Sequence, residues 1–335
     1  MAHLPNGKLI MATTKYFLSV DWGTTNFRLR MVECPSQKVL EEIFLKNGGV
    51  KNLFYQWKKD GGSRRMIFLN FLKKQIEHLK VEKPTNTPII ISGMASSSLG
   101  LLELPYAELP FATDGENAIV NFIKPNGTIQ FPIYLISGIR SPTDVIRGEE
   151  TQLIGCMQNN EGHLGDQLYI FPGTHSKHIL VRGNQIVDFK TYMTGEIFGL
   201  LATQSVLGNS VKAGGKKIGI KARHSFEDGL KAAIHGNLLN EAFQIRTNYL
   251  FKKISKENNF YYLSGLMIGT EIKNLLSQSY DQIVVVGGSS IYSYYKMAFE
   301  MLQISENSKI FSPRAADRLV VKGQYKILKN KIQIG

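Results

Sequence analysis

Three short apolar runs open the folded part of the chain. Tyr16 to Val20 is apolar and rich in β-prone residues. Asp21-Trp-Gly-Thr-Thr-Asn26 is polar and contains a glycine, so it reads as a turn. Phe27 to Val32 then alternates apolar with polar, the period-two signature of a strand with one buried face. A third strand is expected near Lys38 to Leu45. The same grammar returns later. Leu168 to Phe171 predicts a strand, Pro172-Gly-Thr-His-Ser176 a turn, His178 to Val181 the return strand and Gln185 to Tyr192 a third. Laid over the first copy, Gly23-Thr24 falls on Gly173-Thr174 without a gap.

Each triplet is followed by alternating helical and extended patterns. In the first half, Phe68, Leu69, Leu72, Ile76 and Leu79 recur at helical spacing. Buried strands are predicted at 88–92 and 133–137, and a helix from Glu149. In the second half, helices are expected near 195–207, 226–248 and 260–277. A buried strand at 281–286 ends in Gly287-Gly288; then come a helix from about Ser290, a strand from Lys309 to Phe311 and a helix after Pro313. Three strands followed by alternating helices and strands, twice over, predict two related α/β domains. The polar, glycine-bearing stretch from Asn159 to Gly165 marks the boundary. This gives an extension over 1–15, one domain over 16–162 and a second over 163–335.

At 335 residues, with 43% hydrophobic and 20% charged positions, the chain can bury two ordinary cores. No apolar stretch reaches the roughly 18 residues of a membrane span, and the first residues lack the apolar core of a secretory signal. Cys34 and Cys156 stand far apart, which predicts neither disulfide nor zinc site and a cytoplasmic protein. The net charge of +13 is spread over short runs such as Lys58-Lys59 and Lys73-Lys74, without interleaved aromatics. It reads as a solvated surface that attracts anionic small molecules, not as a nucleic-acid or membrane surface.

The paired Gly-Thr turns carry the first chemical signal. Glycine lets the backbone approach a ligand closely, and amide and hydroxyl groups donate to phosphate oxygens. Two such turns facing each other across an interdomain cleft would hold a triphosphate. Gly23, Thr24 and Thr25 are the candidates in one half, and Gly173, Thr174, His175, Ser176 and Lys177 in the other. Asp21, at the end of the first strand, is the candidate for holding Mg²⁺ against those phosphates. Gly287, Gly288 and Ser289, between a strand and a helix, offer bare backbone to a flat ligand. There is no GxxxxGK[ST], so a P-loop is not indicated.

The strings DWGTTNFRLR, SGM followed by LPY, DVIRGEETQLIG, FPGTHSKHILV, TGEIF and SGLMIGTEI resemble, in order and spacing, the 2-dehydro-3-deoxygalactonokinase family of the actin, hexokinase and heat-shock protein 70 superfamily. The resemblance runs from about residue 16 to 325. It implies two ribonuclease H-like domains, a duplicated βββαβαβα, with ATP in the cleft between them. It implies an ATP- and Mg²⁺-dependent kinase that phosphorylates the terminal C6 hydroxyl of 2-dehydro-3-deoxy-D-galactonate in galactonate catabolism. On this resemblance Asp21 to Asn26 is the first phosphate motif, Gly173 to Lys177 the second and Val286 to Ser289 the adenosine motif. Related sugar kinases carry a carboxylate where RGEET stands, which makes Glu149 the expected general base and Glu150 its reserve. Either glutamate also suits the start of a helix. Ser92, Gly93 and Met94 fall where the sugar is received. Arg28, Arg140 and Arg147 are the candidates for the substrate carboxylate, because guanidinium donors form a planar fork. The chain departs from the family at Ala95 to Leu101. A kinase for another sugar or sugar acid, or a non-catalytic sugar sensor, therefore stays open as the alternative. A small-molecule sugar acid is the expected partner, together with a possible second copy of the chain.

Overall fold

The computed structural model describes residues 14–157, 165–215, 218–304 and 306–331, with Ser290 by its backbone alone. The expected extension over 1–15 and the expected boundary at 159–165 lie almost wholly outside them. The described residues fall into two compact units. The first takes those of Met1–Leu164, Gly183–Asp188 and Asp317–Gly335; the second takes those of Gly165–Arg182 and Phe189–Ala316. The second unit therefore differs from a contiguous 163–335: the C-terminal helix groups with the first unit.

The first unit is mixed α/β. It contains β1 (Tyr16–Trp22), β2 (Phe27–Glu33), β3 (Lys38–Leu45), α1 (Val50–Asp60), α2 (Arg64–His78) and β4 (Ile89–Gly93). Then follow β5 (Ala107–Glu108), β6 (Phe111–Ala112), β7 (Val120–Ile123), β8 (Ile133–Ile136), β9 (Ile139–Arg140), β10 (Val145–Ile146) and α3 (Glu149–Cys156). Its main sheet has the order β3-β2-β1-β4-β8-β7. The first three strands are antiparallel, and β4 and β8 run parallel to β1. A small sheet, β10-β9-β5, lies at the entry to α3. Trp22 anchors the core: it is fully buried, meets Phe27 edge-on at 5.0 Å and stacks on Phe71 at 5.7 Å.

The second unit repeats the plan. It contains β11 (Asp166–Phe171), β12 (Ser176–Arg182), β13 (Gln185–Tyr192), α4 (Thr194–Gln204), α5 (Ile220–His235), α6 (Leu238–Leu250) and α7 (Lys256–Ile272). It ends with β14 (Gln282–Val286), α8 (Ser289–Met301) and β15 (Ser308–Phe311); α9 (Pro313–Lys331) follows. Its strands have the order β15-β14-β11-β12-β13, and β14 runs parallel to both β11 and β15. β6 pairs with Gln185 and Ile186, within the part of β13 that belongs to the first unit. The single helix expected over 226–248 is two, α5 and α6. The chain breaks at Gly236-Asn237, where the Asn237 side chain accepts the Leu239 amide and caps α6.

Two helix crossings fix the frame. In the first unit, α9 packs on α3 through Gly155 and Gly323. A Cβ on Gly155 would lie 2.1 Å from the Leu319 carbonyl oxygen, and one on Gly323 would lie 1.8 Å from that of Thr151. In the second unit, α5 and α7 cross in the same way through Gly229 and Gly265. Any side chain at these positions would hold the helices apart. The glycines of SGLMIGTEI are thus packing residues, while its glutamate belongs to the site described next.

Candidate functional site

The first Gly-Thr turn is held from behind by the start of α1. The amides of Gly49, Val50 and Lys51 donate to the carbonyls of Thr25, Gly23 and Thr24 at 2.8, 3.0 and 3.1 Å. A Cβ on Gly49 would meet the Thr24 carbonyl oxygen at 2.4 Å, so only glycine permits this approach. Trp22 adds a bond from Nε1 to the Gly48 carbonyl at 3.1 Å. With its carbonyls drawn inward, the turn leaves the Thr24 and Thr25 amides without an acceptor among the described residues, and both residues are exposed. Two successive free amides form an anion-binding concavity.

Asp21 lies beside this turn on β1, opposite Arg28 and next to Ser92. Desolvation pushes its carboxyl above the ordinary range; Arg30 and then Arg28 pull it back. No group of three histidine, cysteine or acidic residues at metal spacing occurs among the described residues. A magnesium ion that takes most of its ligands from phosphate and water needs only one or two carboxylates. Asp21, a partly desolvated acid next to unpaired amides, meets that requirement.

A second group of residues surrounds Gly93 and Gly148. Gly93 has φ 90°, and a Cβ there would lie 2.8 Å from the Trp22 carbonyl oxygen. Gly148 has φ 113° and sits against the Gly93 backbone. Both conformations suit only glycine. The loop from Met94 therefore meets the entry to α3. There the Arg147 guanidinium donates through Nη1 to the Ser96 carbonyl at 2.6 Å and the Ser96 hydroxyl at 2.7 Å, and lies 4.1 Å over the Tyr106 ring. Glu149 is half-buried, and its Oε2 accepts the Arg147 amide at 3.2 Å. Glu150 is buried and takes the Gly148 amide at 2.6 Å and the Thr151 hydroxyl at 3.0 Å. Desolvation, with the charge of Glu149 second, raises its carboxyl to about 7.

The three candidate arginines separate. Arg28 is bonded to Asp317 at 2.9 Å, and Arg140 is paired with Glu108. Arg147 stands on a serine and an aromatic face instead, which leaves its charge available to an anion. Ser92 is buried and accepts from Gln324 Nε2 at 2.8 Å, while the same amide holds the Val20 carbonyl at 2.9 Å. Met94 opens the single 3₁₀ turn that leads to Ser96.

The second Gly-Thr turn uses the same device as the first. The Glu196 amide at the start of α4 donates to the Thr174 carbonyl at 3.0 Å, and a Cβ on Gly195 would meet the Gly173 carbonyl oxygen at 2.5 Å. The Thr174 and His175 amides have no acceptor among the described residues. Gly173 instead sends its amide inward to the Ser176 hydroxyl at 3.3 Å. His175 pairs with Glu196, and the mostly buried Lys177 donates to the His175 carbonyl at 3.0 Å. Behind the turn lies a buried carboxylate that the sequence did not flag: Glu271 of α7, bonded to His178, Thr194 and Tyr295.

A cavity of about 210 Å³ adjoins this turn. Gly173 and Gly195 form its polar end; Phe198, Met267, Ile291 and Tyr294 are among its apolar walls. A Cβ on Gly287 would lie 3.7 Å from the ring of Pro172 in the turn, and Gly288 caps α8, with open space where its side chain would be. An apolar slot beside a turn with two free amides suits a flat ring attached to phosphates.

A family model described as 2-keto-3-deoxy-galactonokinase matches residues 21–327. The chain is 28% identical over 305 residues to the 2-dehydro-3-deoxygalactonokinase of Escherichia coli (strain K12), covering 86% of this chain and 91% of that one. It is 30% identical over 301 residues to a Rhizobium meliloti (strain 1021) protein described by the same kinase name, covering 87% and 90%. A solved structure from Sinorhizobium meliloti, also described by that name, superposes with a TM-score of 0.74 at 26% identity, covering 92% of this chain and 95% of the other.

Proposed function

The chain belongs to the 2-keto-3-deoxy-galactonokinase family, whose members are sugar-acid kinases, and on that premise we propose that it transfers the terminal phosphoryl group of ATP to the C6 hydroxyl of 2-dehydro-3-deoxy-D-galactonate. The observation that carries the residue assignment is the loop entering α3. It sets Arg147, braced by Ser96 of the 94–101 loop, two positions from the half-buried Glu149. A cation for the substrate carboxylate and a base for its hydroxyl thus sit on one short segment. Ser96, in the stretch that departs from the family pattern, is part of this support, since it carries the guanidinium.

We read the matching strand orders, β3-β2-β1-β4-β8 and β13-β12-β11-β14-β15, as a duplicated ribonuclease H-like fold, each copy supplying one phosphate turn. In the first unit the amides of Thr24 and Thr25 would donate to phosphate oxygens; in the second, those of Thr174 and His175 would do the same, and the cavity beside Gly173 would take the adenosine against Gly287 and Gly288. Magnesium, when bound, would supply charge neutralisation at those oxygens, with Asp21 the residue that holds it. Glu149 would orient the attacking hydroxyl and accept its proton. Glu150 would hold the Gly148 amide, and so the start of α3.

The test separates the two glutamates. Glu149→Ala should lower kcat by about 10²–10⁴-fold, the usual contribution of a positioned base. Glu150→Gln should retain kcat within about tenfold, because it removes no group that touches the hydroxyl. Near-normal turnover in Glu149→Ala, with loss in Glu150→Gln, would reverse the assignment.

A further inference from the structure

The six distinctive strings of the sequence include three that no phosphate or sugar role accounts for in full: PGTHSKH, TGEIF and SGLMIGTEI. The fold brings one residue from each to a single buried point. Glu271 Oε1 lies 2.9 Å from His178 Nε2 and 2.9 Å from the Tyr295 hydroxyl; Oε2 lies 2.8 Å from that hydroxyl and is also bonded to the Thr194 hydroxyl. The carboxylate is sealed from solvent, as is Tyr295. One side chain thereby joins β12, the first residue of α4, α7 and α8.

The polarity of the bonds is fixed by chemistry. A carboxylate only accepts, so His178 Nε2, Thr194 and Tyr295 must each donate to it. Tyr295 has then spent its only proton and can act elsewhere only as an acceptor. Ser176 stands beside it and favours its charged form. Ser176 in turn accepts the Gly173 amide at 3.3 Å. One arm of this network therefore reaches from Glu271 through Tyr295 to Ser176, which holds the Gly173 amide, and a second arm holds Thr194. Gly173, Thr194 and Tyr295 all line the 210 Å³ cavity, and Glu271 stands behind its wall.

We propose that Glu271 is a positioning residue for nucleotide binding: it orders the second phosphate turn, the start of α4 and helix α8 into one preformed nucleotide pocket. This rests on the nucleotide reading of that cavity. By drawing the Gly173 amide inward, the first arm turns the Thr174 and His175 amides outward. By holding Thr194, it keeps Gly195 against the turn. Glu271 itself touches neither nucleotide nor sugar acid.

The experiment compares wild-type protein with Glu271→Gln, Tyr295→Phe, Ser176→Ala and the Glu271→Gln/Tyr295→Phe double variant. Calorimetric titration with ADP and steady-state kinetics on the sugar acid are the readouts. An amide at 271 must present an NH₂ to at least one of three donors, so the network breaks without a change of shape. Loss of a buried bond to a charged group predicts an ADP Kd raised about tenfold or more in Glu271→Gln and Tyr295→Phe, and Ser176→Ala should raise it in the same direction. The sugar-acid KM should stay within about twofold, and kcat should recover at saturating ATP. The double variant should bind no worse than the weaker single one, because both lie on one arm. Wild-type-like ADP binding in the variants, or an equal rise in the sugar-acid KM, overturns the proposal. If Glu271→Gln does not fold, Tyr295→Phe and Ser176→Ala decide alone by the same criteria. Failure of the wild-type protein to bind ADP would overturn the nucleotide reading itself, and this inference with it.

Discussion

Gly49→Ala isolates the support of the first phosphate turn. Gly49 has φ −72° and ψ 171°, a conformation alanine adopts freely, so the substitution adds one methyl group and no backbone strain. That methyl would lie 2.4 Å from the Thr24 carbonyl oxygen, 2.4 Å from the Thr25 carbonyl carbon and 2.5 Å from that of Thr24. Restoring ordinary contact requires a separation of about 1 Å between the start of α1 and the turn. The three bonds at 2.8, 3.0 and 3.1 Å would stretch with it. Losing two of them at about 1 kcal/mol each, with overpacking of about 1–3 kcal/mol, gives a destabilisation of about 3–5 kcal/mol. For a unit of this size that is a fall in melting temperature of about 6–20 °C. The turn would also lose the arrangement that frees the Thr24 and Thr25 amides, so the KM for ATP should rise by about tenfold. Thermal melts and an ADP-release assay measure both effects. Gly127→Ala, with nothing within 4 Å, is the control. If Gly49→Ala melts like that control and keeps its KM for ATP, the steric argument is refuted.

Arg147→Ala should raise the KM for the sugar acid by about 10–100-fold and leave that for ATP unchanged, whereas Arg140→Ala, which breaks an exposed pair, should change neither. Glu150 carries a pH signature. Its carboxyl is raised from 4.5 to about 7, so the folded protein favours the protonated form; that stabilisation is complete below about 4.5 and is lost as the pH rises through about 7. Glu150→Gln should therefore gain stability relative to wild type as the pH goes from 5 to 8, by roughly 3 kcal/mol at most; parallel denaturation curves at the two values would contradict it. Trp22→Ala, which empties a fully buried site beneath the first turn, should cost about 3–5 kcal/mol in denaturant unfolding.

The positions of the main strands and the duplicated turns were legible because period-two alternation and a repeated Gly-Thr are local signals. The bounds of β3 and β13 match the expected 38–45 and 185–192. The helix α1 was missed: its only buried apolar residues are Val50 and Leu53, too few for a helical stripe. The grouping of α9 with the first unit depends on Gly155 and Gly323, 168 positions apart and without a local pattern. Gly49 and Gly195 were invisible for a related reason, since the need for glycine there comes from carbonyls 25 and 22 residues away. Glu271 looked like one more charge inside a helical string; only the fold shows that its three donors come from three other elements. Arg147 could not be told from Arg28 and Arg140 by sequence, because their partners Asp317 and Glu108 are brought near by the fold.

Substrate identity is the central claim. A coupled ADP-release assay with purified protein, ATP and magnesium, run across a panel of 2-dehydro-3-deoxy sugar acids, tests it most directly. The account predicts turnover that is fastest with 2-dehydro-3-deoxy-D-galactonate, with the phosphate found on C6. Turnover confined to the gluconate epimer, or absent from every sugar acid in the panel, would contradict it.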